Sequence, residues 1–435
     1  MGLGNNPDNF GNNGQDDPFY KEEEQTVKVP SFKFLDAVFE EDAPTQILDI
    51  LYPLAERGDI EAQFELGIAY YKGDGVQINL QEAVKWFEKA AEQGHVMAHF
   101  NLGLIYYNGG DGVPRDYAKA FEWYTKAAEQ EFASAQNNLA VMYYSGNGVE
   151  KNYDKAFEWC LKAAENVNPD AQAKIAYLYY HGIGTERDLV KAFEWFSKLA
   201  KQGDAEAQFN LAGMYYHREG VEGVEENFKE AFYWYSKSAE QGYVEAQERL
   251  GYLYYCGMGV ENDYEKAFDC FLKAANQGDI QSQTMVASMF YYGVGVEKDL
   301  NKAFYWNKKS AEQGNINAQY NMACMYYYGE GVDQNLDEAF KWFKEAAEKG
   351  HIESQYNLAD MYYNGEGVEQ DLNEAFKWFK KVAEQGDEEA QFRLGVMYYN
   401  GEGTEENKEE AFKLIEKAAD ALFEDAIEFL QGHAN

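Results

Sequence analysis

The sequence predicts an all-α protein, a right-handed α/α superhelical solenoid of about ten 36-residue helix pairs with half-repeat caps at both ends. Three observations predict it. One pattern returns along the chain from Ala62 at a usual step of 36 residues. Each copy carries apolar residues at helical spacing, interrupted at fixed places by glycine. No copy is long enough to hide its own aromatic face, so neighbouring copies must stack.

The elements follow in chain order. Residues 1–30 are rich in Gly, Asn and Asp and poor in apolar side chains. Such a segment cannot offset its ordering entropy and is expected to be a disordered tail. Phe10 and Phe19 each close a short polar run in it; a flexible tail is the leading reading, a linear docking motif the other. Residues 31–61 are expected to form an N-terminal capping segment, because residues 45–58, TQILDILYPLAERG, read as a lone second helix. Residues 62–422 hold the ten repeats. Residues 423–435 are expected to be a capping helix, since residues 424–430, EDAIEFL, read as a lone first helix.

The repeats open at Ala62, Ala98, Ala135, Ala171, Ala207, Ala246, Ser282, Ala318, Ser354 and Ala390, which define offset zero. The repeat from Ala98 is one residue longer and that from Ala207 three longer, both in the same loop, where a stacked array tolerates insertion. The first helix runs through offset ten, as in AQYNMACMYYY from Ala318, and stops at a Gly-x-Gly such as Gly329 and Gly331. The second starts after an Asp or Asn: Asn79, Asp116, Asn152, Asp188, Asn227, Asp263, Asp299, Asn335, Asp371 and Asn407. These side chains accept free first-turn amides, about 1 kcal/mol each. Glu82, Glu338, Glu374 and Glu410, three residues on, are expected to complete capping boxes. The second helix usually ends at a glycine, such as Gly94, Gly203, Gly278 or Gly350. All eight tryptophans lie in one column of the second helix. Gly67, Gly103, Ala140, Ala176 and Ala212 form a small-residue column on the first helix, where helices must approach closely.

Together the alanine, Leu-Gly, Tyr-Tyr, Gly-x-Gly-Val, Ala-x-x-Trp-Phe and Ala-Ala-Glu-Gln-Gly signals resemble the Sel1-like repeat, a relative of the tetratricopeptide repeat. The resemblance covers about nine-tenths of the chain. It implies a superhelix that serves as an adaptor or scaffold for protein partners, usually without catalysis. Some secreted relatives are cysteine-rich and linked to β-lactam chemistry, which makes a hydrolase the second function class. This chain departs from them: it has four cysteines, and only the repeat from Ala246 holds two, Cys256 and Cys270. No Ser-x-x-Lys and no Gly-x-Ser-x-Gly occurs, so no candidate catalytic residue stands out. A secreted effector acting on a host protein is the third class, with the same fold.

Net charge is −38. Such a field repels phosphate backbones and anionic lipid, so nucleic acid and membrane surfaces are poor partners and a basic protein is one candidate. No apolar run approaches the ~18 residues of a membrane span. The first residues lack a basic and an apolar signal region, which suggests a cytoplasmic protein, with export by a signal-free route left open. The Gly-x-Gly turns lack the lysine and Ser/Thr of a phosphate loop. His181, His217 and Cys256 share offset ten in successive repeats, but helices ~8–10 Å apart do not bring ligands within the ~4 Å that zinc requires. No metal or other cofactor is expected. Oligomeric state is not encoded legibly.

The recurring Tyr-Tyr carries the candidate site. The first tyrosine lies four residues after the small one and shares the core face. The second points about 100° away. It is Tyr71, Tyr107, Tyr144, Tyr180, Tyr216, Tyr255, Tyr291, Tyr327, Tyr363 and Tyr399. Two readings stand. The ten form a ladder along a concave groove and bind a peptide or protein, as tyrosine does at interfaces. Alternatively, each ring packs on the next first helix and leaves only its hydroxyl wet. Offset three adds Asn101, Asn138, Asn210, Asn321 and Asn357, whose amides could bond a peptide backbone, or could be solvated or helix-bridging. Lys174, Arg249 and Arg393 interrupt that column, and Ala173, Glu248, Thr284 and Met285 mark where the wall chemistry changes.

Overall fold

A computed structural model describes Pro18, Phe19 and residues 44–217 and 227–433. The expected tail, residues 1–30, therefore lies outside the described residues except for Pro18 and Phe19. The described chain forms 22 α-helices in consecutive pairs and contains no strand. The extra residue of the repeat from Ala98 is absorbed by an isolated bridge between Gly110 and Val113.

The chain resolves into two compact units, residues 1–226 and 227–435. The boundary falls inside the fifth repeat, the one with the longest insertion. Within each unit a second helix packs on the first helix of the following repeat and, wherever that helix belongs to the same unit, on its own first helix. The all-α, α/α solenoid organisation expected from periodicity is thus realised within each unit. A helix at Pro44–Glu56 covers the first repeat through Leu48 and Ala55, which meet Ala62 and Leu66. Helix Glu424–Gly432 covers the last, placing Ala426 against Ile415 and Ala418.

The core explains the small-residue column. A methyl group on Gly67 would meet the Phe87 ring at 2.5 Å, and one on Gly103 would meet Tyr124 at 2.5 Å. The flat ring of the second helix therefore lies directly on the backbone of the first. The first tyrosine of the pair joins this core, buried at Tyr106, Tyr143 and Tyr179 and half-buried in the other repeats. Tyr143 stands edge-on to Phe121 of the preceding repeat, with centroids 5.4 Å apart, and Tyr362 to Phe340 at 5.1 Å. Where phenylalanine replaces it, Phe290 meets Phe268 in the same geometry at 5.1 Å. The tryptophan column is buried at Trp86 and Trp306 and half-buried elsewhere, with lysines one turn away over the rings: Lys89 Nζ sits 3.7 Å from the Trp86 centroid and Lys126 Nζ 3.9 Å from that of Trp123.

All ten Asp or Asn caps accept backbone amides as expected. The capping boxes turn out differently. The amide of Asn79 donates to the Tyr70 carbonyl at 2.9 Å, that of Asn335 to Tyr326 and that of Asp371 to Tyr362. With the cap amide already engaged by the first helix, the glutamates turn elsewhere. Glu82, Glu338 and Glu374 pair with Lys85, Lys341 and Lys377, each at 2.6 Å.

The second glycine of each Gly-x-Gly has a reason beyond the turn. Gly367 has φ 65°, and a methyl group there would lie 2.1 Å from the Leu336 carbonyl oxygen, at the start of the preceding second helix. Gly331 meets Leu300 in the same way at 2.1 Å. Only a residue without Cβ lets consecutive repeats close this seam.

Candidate functional site: the first-helix wall

Within each unit the second tyrosines share one face of the first helices. Nine of the ten are half-buried, and Tyr144 is buried, 4% exposed. Their backbone carbonyls are tied down by side chains seven residues on: Arg187 Nε donates to Tyr180 O, Gln334 Nε2 to Tyr327 O and Gln370 Nε2 to Tyr363 O, each at 2.8 Å. Asn262 Nδ2 does the same for Tyr255.

In three successive repeats of the C-terminal unit the hydroxyls are also engaged. Tyr291 Oη donates to Glu330 Oε2 at 2.6 Å, Tyr327 to Glu366 at 2.6 Å and Tyr363 to Glu402 at 2.8 Å. Each glutamate is the middle residue of the next repeat's Gly-x-Gly. The bond to Glu330, followed by burial, pushes the Tyr291 phenol up to about 12; the bond to Glu366 does the same for Tyr327. For Tyr363, burial leads and Glu402 adds to the rise. Earlier repeats use other partners. Asn147 Nδ2 donates to Tyr107 Oη at 3.5 Å, and Tyr117, Tyr153 and Tyr264 stand edge-on to Tyr107, Tyr144 and Tyr255, each at 5.1 Å. Burial raises the phenol pKa of Tyr71, Tyr107 and Tyr255. Tyr180 and Tyr216 touch the rings of His181 and His217, and Tyr399 lies among Phe412, Phe429 and His433.

The asparagine column is not uniform. Asn101 is 2% exposed and gives its amide to the Met97 carbonyl at 2.8 Å; Asn138 is buried too. Asn210 is half-buried. Asn321 is half-buried and reaches Asn307 at 3.4 Å, and Asn357 donates to the Glu353 carbonyl at 2.8 Å. Nearby, Tyr356 Oη donates to Glu389 at 2.6 Å, and burial raises the Asp360 carboxyl against the pull of Arg393.

Three features escaped the sequence. The Gly-x-Gly glutamates read as turn residues; the signal was glutamate at that position in three successive repeats, Glu330, Glu366 and Glu402. A buried glutamine ladder occupies offset one. Gln63 donates to the Ala55 carbonyl at 3.0 Å, Gln319 to Ala311 at 3.2 Å and Gln391 to Ala383 at 3.2 Å, all at the end of the preceding second helix. The same side chains accept from their own repeat's second helix, as Gln63 does from Gln93 and Gln283 from Gln313, both at 2.8 Å. The third is Phe19. It is 8% exposed and stacks on Tyr144, with centroids 3.9 Å apart and planes 9° from parallel, while Lys174 Nζ lies 5.9 Å from its centroid.

Among the described residues, no cluster of His, Cys, Asp or Glu is placed to hold a metal, and no helix is long and apolar enough to cross a membrane. His95 and His351 serve as helix caps, accepting from the amides of Ala98 and Ser354, each at 3.2 Å. Burial pushes the Cys160 thiol up to about 12 and the Cys270 thiol up to about 11, which removes the thiolate a nucleophile would need.

The Sel1 repeat matches ten times in tandem, at residues 60–95, 96–132, 133–168, 169–204, 205–243, 244–279, 280–315, 316–351, 352–387 and 388–421. The chain belongs to the Sel1-repeat family. A protective antigen of uropathogenic Escherichia coli with an SLR fold is similar over 86% of each chain, at 36% identity and a TM-score of 0.62. A Sel1 repeat protein from Oxalobacter formigenes is similar at 30% identity and a TM-score of 0.60, over 74% of this chain and 95% of that one. Among curated proteins, DAP3-binding cell death enhancer 1 of Rattus norvegicus is 50% identical over 48 residues, 11% of this chain and 9% of that protein. The chain thus matches about a tenth of the length of that relative. The Sel1 repeats account for every first helix in the wall and for the loops that carry Glu330, Glu366 and Glu402.

Proposed function

We propose that this chain is a non-catalytic interaction scaffold whose first-helix wall forms a groove for a peptide segment or protein surface. In the C-terminal unit the preferred occupant is basic. The observation that supports this is the Tyr–Glu ladder: Tyr291, Tyr327 and Tyr363 each fix a carboxylate, Glu330, Glu366 and Glu402, one repeat apart. A hydrogen-bonded carboxylate is held in place yet keeps acceptor capacity for a lysine or arginine. The half-buried rings beside it offer flat contact area at small entropic cost. Asn321 and Asn357, on the same helices, add amide groups for a bound backbone. The ring surface supplies anchors, and the carboxylates supply charge selection and a salt-dependent on-rate.

The test is selection of a random peptide library on the full chain, with binding of the enriched peptides measured by fluorescence anisotropy. Enriched peptides should carry Lys or Arg. Affinity should fall about tenfold in a Glu330→Gln, Glu366→Gln, Glu402→Gln variant, and again on raising salt from low to near 0.3 M. A Tyr327→Ala, Tyr363→Ala, Tyr399→Ala variant that melts like the parent should lose binding. Neutral or acidic peptides, or affinities indifferent to both variants, would overturn the reading.

A further inference from the structure

The most buried rung of the tyrosine ladder is covered by the chain's own N-terminal segment. Tyr144 is 4% exposed because a phenylalanine 125 positions earlier in sequence (144 − 19) lies flat on its ring. Phe19 is itself 8% exposed, so both faces of the stack are shielded. This contact joins two residues of the N-terminal unit, one from outside the repeats and one from the first-helix wall. Pro18 and Phe19 lie in a turn that presents the ring to the wall.

Charge supports the same pairing. Asp16 and Asp17 stand directly before Pro18 in sequence, and glutamates follow at Glu22, Glu23 and Glu24. In a chain of net charge −38 this segment should be repelled from most surfaces. The wall around Tyr144 carries two lysines. Lys174 Nζ is 5.9 Å from the Phe19 centroid, and Lys151 Nζ is 5.9 Å from the Tyr144 centroid and 4.7 Å from that of Tyr153. Lys174 stands at offset three of the following repeat, where the repeat of Tyr144 has Asn138. Where Tyr291, Tyr327 and Tyr363 each meet a glutamate 39 residues on, the equivalent position for Tyr144 is Ile183, which carries no charge. Reach is no obstacle: the chain between Phe19 and Pro44 spans on the order of 80 Å when extended.

We propose that the Pro18–Phe19 segment is an intramolecular ligand of the first-helix wall, seated on Tyr144 beside Lys151 and Lys174. It masks that site against a partner peptide of the same chemistry, an aromatic side chain preceded by acidic residues. The proposal rests on the reading of the wall as a binding surface, but at a different rung and for an occupant of opposite charge. The tether keeps the segment at a local concentration in the millimolar range, so a free competitor must overcome it. Release of the segment opens the site; its return closes it.

The probe is a fluorescein-labelled synthetic peptide of residues 12–24, titrated into the full chain and into the full-length Phe19→Ala variant. The variant should bind the peptide about tenfold more tightly than the parent, because the tethered competitor is gone. A peptide with its phenylalanine changed to alanine should not bind, and adding Lys174→Glu to the Phe19→Ala chain should weaken binding. Equal affinity for parent and variant, or no binding to either, would overturn the masking. A second readout tests the contact itself without any peptide. A single p-fluorophenylalanine at position 19 should give a ¹⁹F line shifted from that of the free peptide, returning toward it in Lys174→Glu. A line already at the free position overturns the contact. Concentration-dependent dimers of the parent that vanish in Phe19→Ala would place the segment on a second copy and overturn the intramolecular form. Peptide selection on the C-terminal ladder is unaffected by any of these outcomes, so the two proposals fail separately.

Discussion

Glu248 is one of the positions where the wall chemistry changes, and its surroundings give it an unusual proton affinity. Burial pushes its carboxyl up to about 7; Arg249 opposes this from 3.9 Å, while Asp279 and Glu245 add to the rise. The folded chain therefore holds a proton that the unfolded chain releases near pH 4.5. Stability falls as pH rises between about 4.5 and 7, and levels off above that window. Glu248→Gln should remove this slope, stabilising the protein by on the order of 1–3 kcal/mol at pH 8 and changing little at pH 4.5. Urea unfolding at the two pH values checks it; an unchanged slope in the glutamine variant would count against it. The sequence marked Glu248 as a place where the wall chemistry changes. The proton affinity was not legible, because it depends on how deeply the neighbouring helices enclose the carboxylate.

At the scale of the element, helix ends were the most legible part of the fold. The Asp and Asn caps and the Gly-x-Gly turns are short-range signals, and every cap works as expected. The capping boxes failed because a non-local partner, the carbonyl of the first tyrosine, had already taken the cap amide. The glutamine ladder was missed for a related reason. Glutamine reads as surface, yet Gln319 and its equivalents are buried and satisfy a carbonyl that the preceding helix leaves open. Three second helices also end without glycine in the left-handed position: Glu131, Val167 and Leu422 have φ of 62°, 63° and 68°. Val167 is 72% exposed, so its side chain offsets little of the strain a β-branched residue meets there. Val167→Gly should stabilise the protein by about 1 kcal/mol, read as a higher melting temperature. A lower melting temperature would show that the side chain contributes more than its conformation costs.

On the scale of the whole molecule, charge and modularity dominate. Seventy-six carboxylates face 38 lysines and arginines, so the folded chain repels itself. Raising salt from about 20 mM to about 300 mM shortens the screening length from roughly 20 Å to under 10 Å and should raise the melting temperature by several degrees. A flat or falling melting temperature in calorimetry would mean that the carboxylates are already compensated locally. Repeat number and phase were fully legible, because a period survives local ambiguity. The wall was half legible: the tyrosines could be placed on it, but not the partners of their hydroxyls, which come from the next copy of the motif. The seam at Gly367 carries one last implication. Its bare α-carbon rests on the Leu336 carbonyl just as Gly331 rests on that of Leu300 and Gly295 on that of Tyr264, so each joint uses backbone that every copy supplies. Cutting out or duplicating an in-phase 36-residue block within the C-terminal unit would hand Gly367 an equivalent carbonyl, and such an array can change length in whole steps without inventing a new junction.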